Sequence, residues 1–450
     1  MSLETSDESM EPEQYGQHAV WKIALPMIVS SVSAPLLGIV DTGVMGHLDS
    51  PVYLAAVAAG ATIFSLLFMG MNFLRMGTTG ITAQAYGSGD DLAMRDSLAQ
   101  PLVVAMLIAA ILVLLQQPIL GLALKLLGPS KEVAATAGQY FSIRIWSAPF
   151  ALANFVIIGW LLGMQNARGP LAIMLTINLV NIALDLLFVP VLGMKADGVA
   201  IATVIAEAAG LTLGLFLVSA KLRDHPGEFS PGRLRIVSQY RELLAINSNL
   251  FIRTLALMST FAFITAQGAR MGDVILAANA LLLNFQYFLS YALDGIAHAA
   301  EALSGKAIGR RNRAALEKVV HITLQASIIF ALLFTAIYLM AGRDIIAMLS
   351  NIKSVQYEAM VYLPWLTVLP LISVWSFLYD GVFVGATRSR EMRNVMVGSA
   401  LLVFLPVWYL FQGFGNHALW LAFTLFMSAR GLGMHYLFRR LLRTDKIFPT

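Results

Sequence analysis

Polar or Gly/Pro-bearing breaks cut this chain into about twelve long apolar runs. Their limits fall near 18–46, 53–86, 95–123, 133–165, 169–192, 197–220, 242–268, 274–305, 314–341, 355–386, 391–412 and 416–440. A helix needs about 20 apolar residues to cross the hydrocarbon of a bilayer, and every run is long enough. Inside lipid each backbone N–H and C=O must find an internal partner, which leaves helices for runs of this length. The composition agrees, with 12% charged and 58% hydrophobic residues, against roughly 25% charged residues in soluble domains. The expected fold is an all-α integral membrane protein of twelve transmembrane helices.

Lys and Arg orient the runs. Clusters such as Arg310, Arg311, Arg313, Arg388, Arg390 and Arg393 fall in the even-numbered loops, on the side of the N-terminus. The opposite side carries few, among them Lys125, Lys195 and Arg343. This alternation predicts that both termini are cytoplasmic. It also accounts for the sequence pI of about 9.2 without a nucleic-acid partner, and none is expected. The polar start "MSLETSDESMEPEQYG" has no signal-peptide pattern. With no cysteine in the chain, disulfides and thiolate metal sites are excluded.

The chain matches itself at a shift of 222 residues. "LAAVA" (54–58) meets "LAANA" (276–280), Tyr140 meets Tyr362, Gly159 meets Gly381, Gly163 meets Gly385 and Arg168 meets Arg390. One gapless offset over four spans predicts a duplicated architecture. The expected organisation is a tail at 1–17, an N-lobe of six spans at 18–220, a basic linker at 221–241, a C-lobe at 242–440 and a tail at 441–450. Even-numbered repeats share one orientation, so two pseudo-symmetric six-helix lobes with a cavity between them, alternating in access, are expected.

Ionisable residues within spans cost about 2.5–3.5 kcal/mol each on insertion scales, and each is therefore a functional candidate. The acids are Asp41, Asp185, Glu207, Asp294, Glu301 and Asp380; the bases are Arg75, Arg144, Arg253 and Arg430. The repeat places Phe263 opposite Asp41, Val407 opposite Asp185 and Ile158 opposite Asp380. The fold therefore does not require these charges, and the lobes carry different chemistry. Asn178, Asn181 and Asp185 follow at i, i+3 and i+7 and share one helix face, as do Thr203 and Glu207 at i and i+4. If spans 1, 5 and 6 meet, desolvation and mutual repulsion let at least one carboxylate bind and release a proton near neutral pH. Oxygen ligands also suit Na⁺. Arg253 is expected to pair with a second-lobe acid. Arg75, Arg144 and Arg430 are expected to snorkel toward span ends.

Pro26 lies 15 residues before Asp41, about 22 Å along a helix. A proline removes a backbone hydrogen bond and bends a helix. Serines and Gly38 between the two make span 1 a candidate for two shapes. No metal cluster, nucleophile motif or Walker A sequence is present, so neither an enzyme nor an ATP-driven pump is expected. Energy would come from an ion gradient, with no cofactor.

Longer motifs resemble a known family. "ALPMIVSSVSAPLLGIVDTGVMGHLDSPVYLAAVAAG" and "FLRMGTTGITAQAYG" are similar to the first two helices of the multidrug and toxic compound extrusion (MATE) family, in its bacterial DinF branch. "NSNLFIRTLAL", "YALDGIAHAAEALSGKAIG", "DGVFVGATRSREMRN" and "NHALWLA" resemble the same branch further on. The resemblance covers nearly the whole chain, in order. It implies a MATE fold in a bacterial inner membrane, a monomer, and export of organic, often cationic drugs, dyes and toxic compounds in exchange for H⁺ or, as second choice, Na⁺. It implies cation coupling at Asp41 with Tyr140, Asn181, Asp185 and Thr203, and a bend of the first helix centred on Pro26. Asn178, Glu207, Asp294, Glu301, Asp380 and Arg253 stand as secondary candidates. Other MATE branches place a glutamate on helix 7, where this chain has Arg253. A rival function in the same superfamily is a lipid-linked precursor flippase, which would need a cluster of cavity arginines.

Overall fold

The computed structural model describes residues 14–46, 50–225 and 240–448, with 227, 232 and 236 as single positions; side chains at 34–37, 39, 41 and 42 lie outside the description. The tail before residue 14 and most of the 221–241 linker therefore fall outside it. The described residues form helices α1 (Gln17–Gly46), α2 (Pro51–Met71), α3 (Phe73–Ser88), α4 (Asp91–Leu114), α5 (Gln116–Leu127), α6 (Lys131–Arg144), α7 (Ala148–Gly163), α8 (Arg168–Phe188) and α9 (Ala196–Arg223). They continue with α10 (Tyr240–Arg270), α11 (Asp273–Gly309), α12 (Arg313–Leu349), α13 (Lys353–Gly385), α14 (Ser389–Ser399), α15 (Leu405–Phe411) and α16 (Asn416–Arg443). No strand occurs among the described residues. End-on junctions join α2 to α3, α4 to α5, α6 to α7 and α14 to α15, which gives twelve rods. Ten of them are long and apolar enough to cross a membrane; α1 and the arginine-bearing α16 complete the set.

All four junctions differ from the uninterrupted runs expected at 53–86, 95–123, 133–165 and 391–412, and two have a proline at the break. Pro149 opens α7 behind a 3-10 turn at Ile145–Ser147. Pro406 opens α15 behind a π segment at Ala400–Phe404, where the Leu405 N–H donates to the Ala400 carbonyl. A proline interior to a helix lacks a donor and crowds the carbonyl four residues back; the turn is tightened before Pro149 and widened before Pro406. The remaining breaks, between α2 and α3 and between α4 and α5, fall at Asn72 and Leu115.

The chain divides into two compact units. One is Val29–Leu244; the other joins Met1–Ile28 to Ala245–Thr450. Helix α1 thus changes unit just after Ile28.

The two units repeat each other in detail. In the first, a Cβ on Gly159 would strike the Arg75 carbonyl, and one on Gly163 would lie 2.9 Å from the Thr79 carbonyl. In the second, Gly381 is pressed against the Ala297 carbonyl and Gly385 against that of Glu301. Each pair is offset by the same 222 residues. Left-handed turns obey the same shift: Gly89 matches Arg311, and Gln165 matches Thr387. So do two N-caps, because Asp90 accepts from the Ala93 N–H and Asn312 from the Ala315 N–H, both at 2.9 Å.

Each unit fastens its rods with buried polar contacts. In the first, the Trp160 indole donates to the Met94 carbonyl at 2.8 Å and Thr82 donates to Ser97 at 2.9 Å. Arg95 donates to the His225 carbonyl at 2.7 Å, and His225 meets Asp91 at 3.1 Å. In the second, the Asn279 and Asn416 amides exchange bonds of 2.8 Å, and Trp420 donates to Asn279 at 3.0 Å. The aromatic core above them holds Phe404, Trp408, Phe423 and Phe426, with Phe263 set edge-on to Phe404 at 5.5 Å. Phe263 is the repeat partner of Asp41, so the second unit fills that position with apolar packing.

A close helix crossing leaves no room for a side chain. Gly381→Val is expected to destabilise the protein by several kcal/mol, read as lost folded yield and a lower unfolding temperature. Gly398, with open space around it, is the control, and Gly398→Ala should leave stability unchanged or slightly raised.

Candidate functional site

In the Val29–Leu244 unit the polar face of α8 meets α9 and the second half of α1. Asp185 is fully buried, with 0% exposure. The Asn181 amide, in the orientation that satisfies all its partners, donates to Asp185 Oδ2 at 3.0 Å and accepts from the Thr203 N–H and hydroxyl at 3.2 Å. One turn back, Asn178 Nδ2 donates to Ser33 Oγ at 3.1 Å, and Ser33 donates to the Ser30 carbonyl at 2.7 Å. The i, i+3, i+7 spacing on α8 thus serves two ends. Asn181 joins α8 to α9 through Thr203 and holds Asp185 one turn along its own helix, and Asn178 grips α1.

Tyr140 is also fully buried, with its ring in the space left by Gly60. Its hydroxyl accepts from Arg144 Nη1, and the Arg144 guanidinium lies 4.7 Å over the Phe64 ring. Arg144 therefore folds onto aromatic surface and does not snorkel. Glu207, one turn beyond Thr203, accepts from Asn154 Nδ2 at 2.8 Å, and the same nitrogen reaches the Glu207 carbonyl at 3.0 Å. Asn154 is the lone amide in an otherwise apolar α7. That isolation is the signal by which the sequence could have revealed it. The side chain of Asp41 lies outside the described residues. Pro26 sits within the unbroken α1 helix, two residues before that helix changes unit.

The second unit handles its acids differently. Asp380 Oδ2 accepts from Arg253 and, at 2.8 Å, from Arg430. The side chains of Arg253, Asp380 and Arg430 are 12%, 16% and 5% exposed. Arg253 thus has the acidic partner expected of it, whereas Arg430 turns inward to the same carboxylate and does not snorkel. Asp294 acts electrostatically on Arg430. Glu301 is buried beside His298, at 3.3 Å. The three helices α10, α13 and α16 are tied together by one carboxylate between two permanent cations.

A sequence model of the MatE family matches residues 26–187 and 250–410. The DNA damage-inducible protein F of Escherichia coli K12 is 47% identical over 436 residues, covering 96% of this chain and 94% of that protein. A probable multidrug resistance protein NorM of Rhizobium meliloti 1021 is 23% identical over 447 residues, covering 95% and 94%. Solved MATE structures share the fold at 18% identity. One, in a straight conformation, covers 97% of this chain and 98% of its own with a TM-score of 0.86. Another, in a bent conformation, covers 98% and 99% with a TM-score of 0.85.

Removing the carboxylate between two buried guanidiniums leaves both uncompensated. Asp380→Asn is expected to cost about 3–5 kcal/mol of stability, seen as a fall in the unfolding temperature of purified protein. Replacing all three residues by apolar ones of similar volume (Arg253→Met, Asp380→Leu, Arg430→Met) should recover most of that loss.

Proposed function

The chain belongs to the MATE family, and from that premise we propose that it is a secondary active multidrug antiporter. It exports organic, often cationic compounds in exchange for H⁺. It works as a monomer in a bacterial inner membrane, with both termini in the cytoplasm, as the alternation of Lys and Arg supports. The exchange centres on Asp41 and the network of Asp185, Asn181, Thr203 and Tyr140.

One observation carries this reading. A fully buried carboxylate, Asp185, is held by the neutral amide of Asn181, on a helix that also grips α1 through Asn178. A carboxylate matched to neutral donors can gain and lose a proton without stranding a cation. Neutralising it weakens the charge-assisted hydrogen bond to Asn181 and lets α8 shift against α9. Asn178 passes that shift to α1 at Ser33. On the other side, the Ile28 backbone is pressed against Gly295 of α11. The stretch of α1 between Ile28 and Ser33 is therefore free to bend, with Pro26 just outside it.

A proton is favoured over Na⁺ because Asn181 and Thr203 spend their hydrogen bonds on each other and on Asp185. The flippase alternative loses ground because Arg253 and Arg430 are already committed to Asp380 and are not open to a pyrophosphate.

Ethidium efflux from proteoliposomes tests the proposal. An imposed pH gradient should drive export, and an imposed Na⁺ gradient should not. Asp41→Asn should fold and bind ethidium yet reduce gradient-driven export to the level of empty liposomes. Full export by that variant would end the proposal.

A further inference from the structure

Glu207 is a half-buried acid, bonded to the buried Asn154, that the coupling network above does not use. The elements packed against its helix α9 are α2, α6, α7, α8 and the Ile145–Ser147 turn. Of these, α2, α7 and the turn carry no ionisable group other than Tyr53. Helix α8 brings Asp185, and Arg168 at its first residue. Helix α6 brings Tyr140 and Arg144, and Lys131 and Glu132 in its first turn. The side chain of Asp41 on α1 lies outside the described residues. Arg144 is the one cation among these whose charge bears on Glu207, but it makes no ion pair with it. Its Nη1 is spent on the Tyr140 hydroxyl and its face on the Phe64 ring.

The direct partner of Glu207 is Asn154, and that amide is half satisfied. Its Nδ2 donates to Glu207 Oε2 at 2.8 Å, while its Oδ1 is buried with no hydrogen-bond partner. A carboxylic acid and a primary amide form two complementary bonds: amide N–H to acid oxygen, and acid O–H to amide oxygen. An ionised Glu207 can make only the first and leaves Asn154 Oδ1 stranded, at a cost of about 1–3 kcal/mol. A protonated Glu207 makes both. The stranded oxygen therefore points to a missing proton donor on the residue beside it.

We propose that Glu207 is a second proton-exchanging carboxylate of the antiporter, protonated on Asn154 in this state and paired with Arg144 when ionised. Release breaks the Glu207 O–H bond and passes the proton to water. The carboxylate left behind draws Arg144, whose Nε is buried without a partner, away from the Tyr140 hydroxyl. Tyr140 belongs to the proposed Asp41 and Asp185 network, so the second proton reports to the first site. The transport role rests on the proton-antiport reading; the protonation of Glu207 does not.

Two measurements separate these. Infrared spectroscopy of the full-length protein in lipid at neutral pH reads the carbonyl band of protonated carboxyls. Glu207→Gln should remove one such band, Asp185→Asn and Asp41→Asn should keep it, and Asn154→Leu should shift it upward by removing its amide donor. Glutamine keeps the acceptor for Asn154 Nδ2, so folding is expected to survive, and a thermal melt checks this. In proteoliposomes, one proton fewer per ethidium lowers the attainable accumulation about tenfold per pH unit of gradient. Retention of the full band in Glu207→Gln, or an unchanged dependence of accumulation on the pH gradient, overturns the proposal. A wild type that ignores the pH gradient overturns the antiport reading and the exchange step, while the band still decides whether Glu207 holds a proton.

Discussion

A charge placed in a low-dielectric interior must be compensated, and the way each acid meets that demand divides this molecule. Asp380 is compensated by two guanidiniums. Arginine stays charged at any physiological pH, and the cluster acts as a brace between three helices. Asp185 and Glu207 are bonded by the amides of Asn181 and Asn154. Amides solvate both the neutral and the charged form of a carboxylate. The first arrangement holds helices together; the proposed proton exchange rests on the second.

The shared frame makes this contrast sharp. Gly159 and Gly163 in one unit, and Gly381 and Gly385 in the other, bring equivalent helices to the same close approach. The turns at Gly89 and Arg311, and at Gln165 and Thr387, are equivalent too. Within that frame, the aromatic packing of Phe263 stands where the first unit has Asp41. Packing is symmetric because both units face the same hydrocarbon. Chemistry is not: the first unit bonds Asp185 to an amide, and the second bonds Asp380 to two arginines.

Much of this was legible in the sequence. Apolar run length specified the rods, and the 222-residue shift specified the duplication. Helical spacing brought Asn178, Asn181 and Asp185 onto one face, and the structure adds that Asn178 works on α1 while Asn181 links Asp185 to Thr203 of α9. The sequence could not choose among arginines. Arg144 and Arg430 lie well inside their spans, and only the packing of neighbouring helices decides whether such a side chain reaches outward to water or turns inward to Tyr140 or Asp380. The π segment before Pro406 was likewise hidden, since prolines in long apolar helices sometimes break and sometimes only bend them.

The account stands on the claim that acids bonded to neutral donors exchange protons while the arginine-bound acid does not. Proton release on substrate binding measures this directly, with ethidium added to purified protein in weakly buffered solution and followed by a pH indicator. The account predicts release by the wild type, its reduction in Asp185→Asn, and its persistence in folded Asp380→Asn. Absence of release, or release lost in Asp380→Asn and retained in Asp185→Asn, would contradict it.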